Sequence, residues 1–394
     1  MSSAFEANYG FPRSDVRLGN WRDAPWNVWA FRHVSELIPT ARITASAGLV
    51  EDALVNAESL TRETAFIDGV KTIIADLLAK TSTDAMVVMK SGRIVADFHA
   101  TNFDLETRHI LFSASKSVTA IMAGILQGDG AIDVEQVVAH YVPELESSAY
   151  ADARIRDLFD MQISLDFEET YLDPRGDFAR YRRAGLLEPS VAGDTPDTLL
   201  AFLSSLRRGA NEHGNGPFRY ASPNSDVLGL VIERASGQRF ADFVTTRLWQ
   251  PLGAKRDAYV TVDAAGSART GGGICMTPRD LARVGEMMRL GGIANGRRIL
   301  SQEWVADTIT NGSAKAWAQS KSVEWLPNGR YRSKWYQTGE ASRAFFALGI
   351  HGQWLYVDPT AEMVVAKFSS QPVPVSNDMK RLNLALFDAL AGIV

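Results

Sequence analysis

The stretch from Ser113 to Leu126 constrains the fold more than any other part of the chain. Ser113-Ala114-Ser115-Lys116-Ser117 opens it, and Val118 to Leu126 follows with apolar or small residues on every side. A helix that is apolar all round is buried rather than amphipathic. Gln127-Gly128-Asp129-Gly130 then stops it with turn chemistry. Ser113 reads as the N-cap, its oxygen accepting an amide proton of the first turn. Lys116 lies three residues on and shares that helix face. The sequence therefore predicts a hydroxyl and an amine side by side at the positive end of a buried helix.

That pairing has a chemical use. A serine hydroxyl is a weak nucleophile until a base takes its proton. A lysine in a dry site loses preference for its charged form, so it can serve as that base. The backbone N–H of Ser113 points toward any carbonyl the hydroxyl attacks, which makes it half of an oxyanion hole. Ser-x-x-Lys arises about once by chance in a chain of this length. Here no other serine has a lysine three residues later.

The chain has 394 residues, room for two domains or one two-lobed body. A net charge of -5 without a long basic stretch argues against nucleic acid as a partner. The first residues lack a basic segment followed by an apolar one, and no apolar run is long enough to span a membrane. A single cysteine, Cys275, excludes an internal disulfide. These features point to the cytoplasm and away from membranes. The six histidines are scattered, none in a His-Glu-x-x-His pattern, so neither a metal nor another cofactor is expected. Cys275 has no histidine near it in sequence, which disfavours a thiol hydrolase.

The first 81 residues are dense in aromatics (Trp21, Trp26, Trp29, Phe31) and read as a strap packed over a core. Asp84 to Phe98 reads as a hairpin around Lys90-Ser91-Gly92. Ile155 to Met161 and Thr198 to Arg208 read as helices, and Tyr171 to Asp177 as a loop by its Pro and Gly. Arg180, Arg182 and Arg183 follow, either a solvated charged loop or the mouth of a site. Tyr220 follows a glycine-rich turn and precedes an apolar helix, Val227 to Ile232. A tyrosine beside a lysine ammonium loses its proton more easily than in water. Thr277 and Pro278 start a helix to Met288, whereas Gly271-Gly272-Gly273 before it lacks the signature of a phosphate loop. From Ala347 the pattern is strand, with Gly349-Ile350-His351-Gly352 opening one, and Asp378 to Leu390 is a closing helix.

Taken together, Ser113-x-x-Lys116, Tyr220 and a Gly-x-His-Gly motif near the C-terminus resemble the serine β-lactamases and penicillin-binding proteins. The likeness is nearest to the class C branch and its esterase relatives. It implies an α/β fold of the β-lactamase/transpeptidase type. That fold has an antiparallel sheet flanked by helices, a mostly helical domain, and the active site between them. The corresponding division is 1–110 with 285–394 for the sheet domain and 111–284 for the helical one. Two motifs depart from the family. Its Tyr-x-Asn is here Tyr220-Ala221-Ser222, and its Lys-Thr-Gly is here Gly349-Ile350-His351-Gly352. Both departures argue against antibiotic hydrolysis as the main activity.

Members of the family that cleave linear amide oligomers of the 6-aminohexanoate type resemble this chain over nearly its whole length. Trp26 to Phe31, Tyr141 to Leu145, Asp160 to Ser164 and Asp280 to Gly285 carry that likeness. The resemblance implies Ser113 as nucleophile and Lys116 with Tyr220 as the acid/base pair. It also implies the N–H groups of Ser113 and Ile350 as oxyanion donors, and Tyr171 as a tyrosine that closes over the amide. Arg182 and His351 are added as candidate substrate contacts. The arginines between Gly176 and Gly185 would repel an ammonium end if they line the pocket. The expected partner is a small-molecule amide or ester, and a homodimer is left open. A short-chain carboxylesterase is the alternative. A sensor with slow deacylation is the alternative of another class.

Overall fold

The computed structural model describes residues 3–53, 55–67, 69–191 and 198–394. Its centre is a seven-stranded antiparallel sheet. The strands are β1 (Thr83–Lys90), β2 (Arg93–His99), β3 (Arg330–Arg332), β4 (Trp335–Gln337), β5 (Phe345–Gly349), β6 (Gln353–Asp358) and β7 (Met363–Ser369). They lie side by side in the order β3-β4-β5-β6-β7-β1-β2. The expected hairpin is β1–β2. Its turn residues Ser91 and Gly92 both take positive φ (47° and 80°), the geometry that matches strand twist in a two-residue connection.

Ala85 to Met89 is an unbroken apolar run because β1 is covered on both faces. Ala85, Val87 and Met89 join one core, and Met86 and Val88 join another. The first core also holds α1 (Ser115–Gly128), α2 (Asp177–Ala184), α3 (Pro223–Ser236) and α4 (Pro278–Arg289). The second core is closed by α5 (Asn377–Ile393) through Leu386, Phe387 and Leu390. In α1 every side chain from Ser115 to Leu126 is buried, as its all-round apolar character requires. Thr277 caps α4 by accepting from the Asp280 N–H, with Pro278 in the first turn.

Three expectations are corrected here. The boundary at 284/285 falls inside α4, whose Gly285 lies against Val364 and Leu355 of the sheet, so α4 goes with the sheet. A second sheet crosses the expected division, pairing 40–43 and 109–110 of one part with 258–261 and 274–276 of the other. The segment 349–357 is not one strand: β5 ends at Gly349, a tight turn spans Ile350–Gly352, and β6 returns. The N-terminal aromatics do form a strap. Trp21, Trp29 and Phe31 pack against Ile110, Phe112 and Leu187. In the 176–196 segment, residues 192–196 lie outside the described residues.

Candidate active site

Ser113 does not cap α1. It sits in a 3₁₀ turn, Phe112–Ala114, and α1 begins at Ser115 with no side-chain cap. The reason lies in the residue before it and in what surrounds that residue. Phe112 takes φ +43°, a left-handed conformation that costs a non-glycine residue about 1 kcal/mol or more and must be held by its surroundings. Phe112 is held by Trp21, Phe31 and His351, whose rings stand 5.9, 4.9 and 5.5 Å from its own. The Ser113 hydroxyl is thereby left free of the helix backbone.

Lys116 Nζ donates to Ser113 Oγ at 2.9 Å and to the Gly271 carbonyl at 2.5 Å. Burial lowers the Lys116 pKa to about 8, while Glu169 and Asp226 favour the ammonium and Arg269 opposes it. The Gly271 peptide is itself pinned, since its N–H donates to Asp226 Oδ1 at 2.6 Å. Asp226 in turn pairs with Arg269 and accepts from the Tyr181 hydroxyl at 2.5 Å. The triple-glycine stretch thus supplies a carbonyl that steers the amine.

The Tyr220 hydroxyl lies against those of Ser113 and Ser222, and Lys116 Nζ stands 5.0 Å from its ring centre. The expected ease of deprotonation is not found. Burial, then Tyr336 and Glu169, push its pKa well above the ordinary value, so the phenol keeps its proton. The Tyr171 hydroxyl donates to Glu169 Oε1 at 2.7 Å. Glu169 also accepts from the Ser222 N–H at 2.6 Å and its hydroxyl at 2.8 Å. Glu169 was not foreseen, because one of two adjacent glutamates in an irregular stretch carries no pattern.

Ile350 is brought to Ser113 by a steric device. A Cβ on Gly349 would stand 2.2 Å from the Leu111 carbonyl oxygen, so only glycine lets β5 end this close to the turn that holds Ser113. Ser113 and Ile350 both sit early in short turns, where N–H groups have no partner within the turn. Both line a cavity of about 190 Å³ and a smaller one of about 40 Å³ that meet at Ser113.

Two candidate substrate contacts are placed differently from expectation. His351 turns away from both cavities into the strap core. Its ring packs 5.0 Å from Phe31, and Nδ1–H donates to the Gln371 carbonyl at 2.6 Å. Burial takes its pKa to about 4, so the ring is neutral and acts as a strut behind Ile350. Arg182 borders the smaller cavity, yet it belongs to α2 and is buried rather than solvated. Its Nη1 donates to the Tyr171 carbonyl at 2.8 Å and its Nε stands 2.7 Å from Glu188, which Arg22 also holds. The sequence offered no sign of this, because Glu188 and Arg22 are remote from α2 or irregularly placed. Cys275 is buried, which raises its pKa and makes a thiolate unfavourable.

A hydroxyl, a partly neutralised amine and two unpaired amides around one cavity are the parts of a serine acyl-transfer site. The Beta-lactamase family profile matches residues 70–389. The chain belongs to the Beta-lactamase family. This β-lactamase-family hydrolase is 38% identical to the 6-aminohexanoate-dimer hydrolase of Paenarthrobacter ureafaciens over 368 residues, 93% of this chain and 91% of that one. A solved Bacillus anthracis protein, provisionally named a 6-aminohexanoate-dimer hydrolase, superposes with TM-score 0.86 at 25% identity, covering 97% of this chain and 98% of that one. A family VIII carboxylesterase superposes at TM-score 0.60 and 16% identity over 86% of this chain and all (100%) of that one, a likeness of fold. The fold is the β-lactamase-like one expected, antiparallel sheets flanked by helices.

Proposed function

We propose that this hydrolase cleaves linear amide bonds of 6-aminohexanoate-type oligomers through an acyl-enzyme on Ser113. The observation that carries the reading is Lys116 Nζ at 2.9 Å from Ser113 Oγ in a cavity dry enough to bring its pKa to about 8. In its neutral form Lys116 takes the Ser113 proton as Oγ attacks the amide carbon. The N–H groups of Ser113 and Ile350 bind the oxyanion. Tyr220, still protonated, gives its proton to the departing amine. The Lys116 ammonium over its ring then returns a proton to the phenolate, which resets both groups. Water repeats the attack on the acyl-enzyme and releases the acid.

The amide reading is supported by the relative's name and by Tyr171, which borders both cavities with its hydroxyl on Glu169. Breakdown of nylon oligomers is the corresponding process. The cytoplasm is the proposed compartment, in keeping with a lone buried cysteine. Among the described residues no helix is long and apolar enough to cross a membrane. The carboxylesterase reading is favoured by the fold shared with a carboxylesterase. A turnover panel of linear 6-aminohexanoate dimer, p-nitrophenyl acetate and nitrocefin separates these readings. Dimer turnover with little nitrocefin turnover is expected. Ester turnover without dimer turnover would assign an esterase, and a burst without turnover a slow-deacylating sensor.

A further inference from the structure

A third cavity, of about 540 Å³, exceeds both cavities at Ser113 and shares no wall with them. It is bordered by the β1–β2 turn, by one face of α4 and by residues near Lys255. The Thr83 end of β1 pairs with Ser369, whose carbonyl shares the Gln353 amide with that of Ile350. The third cavity lies at the other end of β1, beside Met89, Gly92 and Arg93. At ~3.3 Å per residue that places it roughly 20 Å from the oxyanion turn.

The spacing along α4 accounts for its lining. Arg279, Arg283, Glu286 and Met287 recur at the intervals of one helix face. Met89, Leu252 and Leu290 complete an apolar floor, and Leu290 stays 45% exposed at its edge. The carboxylates of the wall are all taken. Asp52 pairs with Arg283, and Glu286 accepts from Arg289 at 2.7 and 2.8 Å. The cations are not. Arg279 is only 8% exposed and grips Asp97 through Nε and Nη2, which leaves Nη1 without a partner among the described residues. Lys255 Nζ meets only the Val50 carbonyl, at 2.5 Å. The Arg93 side chain makes no hydrogen bond or ion pair among the described residues. A buried donor left unpaired is costly, and an anion satisfies it better than a neutral acceptor does.

We propose that this cavity is a second binding site, for an organic carboxylate with an aliphatic body. Arg279, Lys255 and Arg93 receive the carboxylate, and Met89, Leu252 and Leu290 flank the chain. The α4 arginines already hold carboxylates of the chain itself, Asp97 on Arg279 and Asp52 on Arg283. Nothing in this assignment depends on which amide or ester Ser113 cleaves.

The test is an NMR titration of enzyme carrying methyl-labelled methionine with octanoate and with octanamide, two probes of equal length. The Met89 and Met287 methyls report this cavity, and the Met379 methyl reports the larger one at Ser113. Octanoate should shift the Met89 and Met287 signals saturably and bind there about fivefold more tightly than octanamide, the upper range for a partly exposed ion pair. Arg93→Gln with Lys255→Gln should bring the two affinities within about twofold, while Arg279 and its pair with Asp97 stay intact. Leu290→Trp, which fills the cavity, should remove the Met287 response to both probes. Shifts confined to Met379, equal affinities in wild type, a preference that survives the double variant, or a Met287 response unchanged by Leu290→Trp would each overturn the assignment.

Discussion

Gly349→Ala puts the oxyanion geometry to a direct test. The added Cβ would lie 2.2 Å from the Leu111 carbonyl oxygen, where non-bonded carbon contacts settle near ~3.5 Å, so something must move by about 1 Å. Leu111 is the less mobile side, because its N–H donates to Ile274 of the second sheet at 2.9 Å. The shift therefore falls on the end of β5 and on Ile350. Overpacking of this kind costs about 1–3 kcal/mol. For 394 residues, with an unfolding entropy of roughly 0.8 kcal/mol/K, that lowers the melting temperature by only about 1–4 °C. Loss of alignment by an oxyanion donor, by contrast, lowers kcat about 100-fold or more. The assay is kcat for p-nitrophenyl acetate beside a thermal melt. A folded variant with kcat within about threefold of wild type would refute the placement of the Ile350 amide at the reacting carbonyl.

Because Lys116 must be neutral to accept the Ser113 proton and its pKa is lowered to about 8, activity should rise with pH. The gain in kcat/KM should be about tenfold between pH 7 and pH 9, and a flat pH profile would remove Lys116 as the base. Tyr171→Phe should slow dimer hydrolysis much more than p-nitrophenyl acetate hydrolysis, because an amine needs help at nitrogen and p-nitrophenolate does not. Equal losses would make Tyr171 structural. Arg182→Asp should not improve binding of an ammonium-ended substrate, as a solvated arginine would allow. It breaks a buried pair with Glu188, so a stability loss of about 3–5 kcal/mol is expected in urea unfolding.

What was legible in the sequence was local. The all-round apolar run of α1, the Ser-Gly turn between β1 and β2, and the Thr277-Pro278 start of α4 each encode their structure within a few residues. Ser113, Lys116 and Tyr220 were legible as a set, and the fold brings them together. What was not legible depends on contacts between distant segments. Ser113 loses its capping role because Phe112 is forced into a left-handed conformation by rings from the strap. Gly271 holds the Lys116 amine only because Asp226 and Arg269 fix its peptide. His351 reads as a polar residue beside a site, yet its ring is drawn into the aromatic core formed by Phe31 and Phe112. Arg182 reads as surface charge until Glu188 and Arg22 meet it.

The proposed nucleophile Ser113, the Gly271 carbonyl that holds Lys116, and the Ile350 amide come from three stretches far apart in the chain. Loops of that length close late, after local helices and hairpins have formed. Catalytic competence is therefore a property of the completed chain rather than of any portion emerging during synthesis. Recovered esterase turnover during refolding should lag behind recovered helical ellipticity, and the lag measures the time taken to dock β5 against the turn at Phe112.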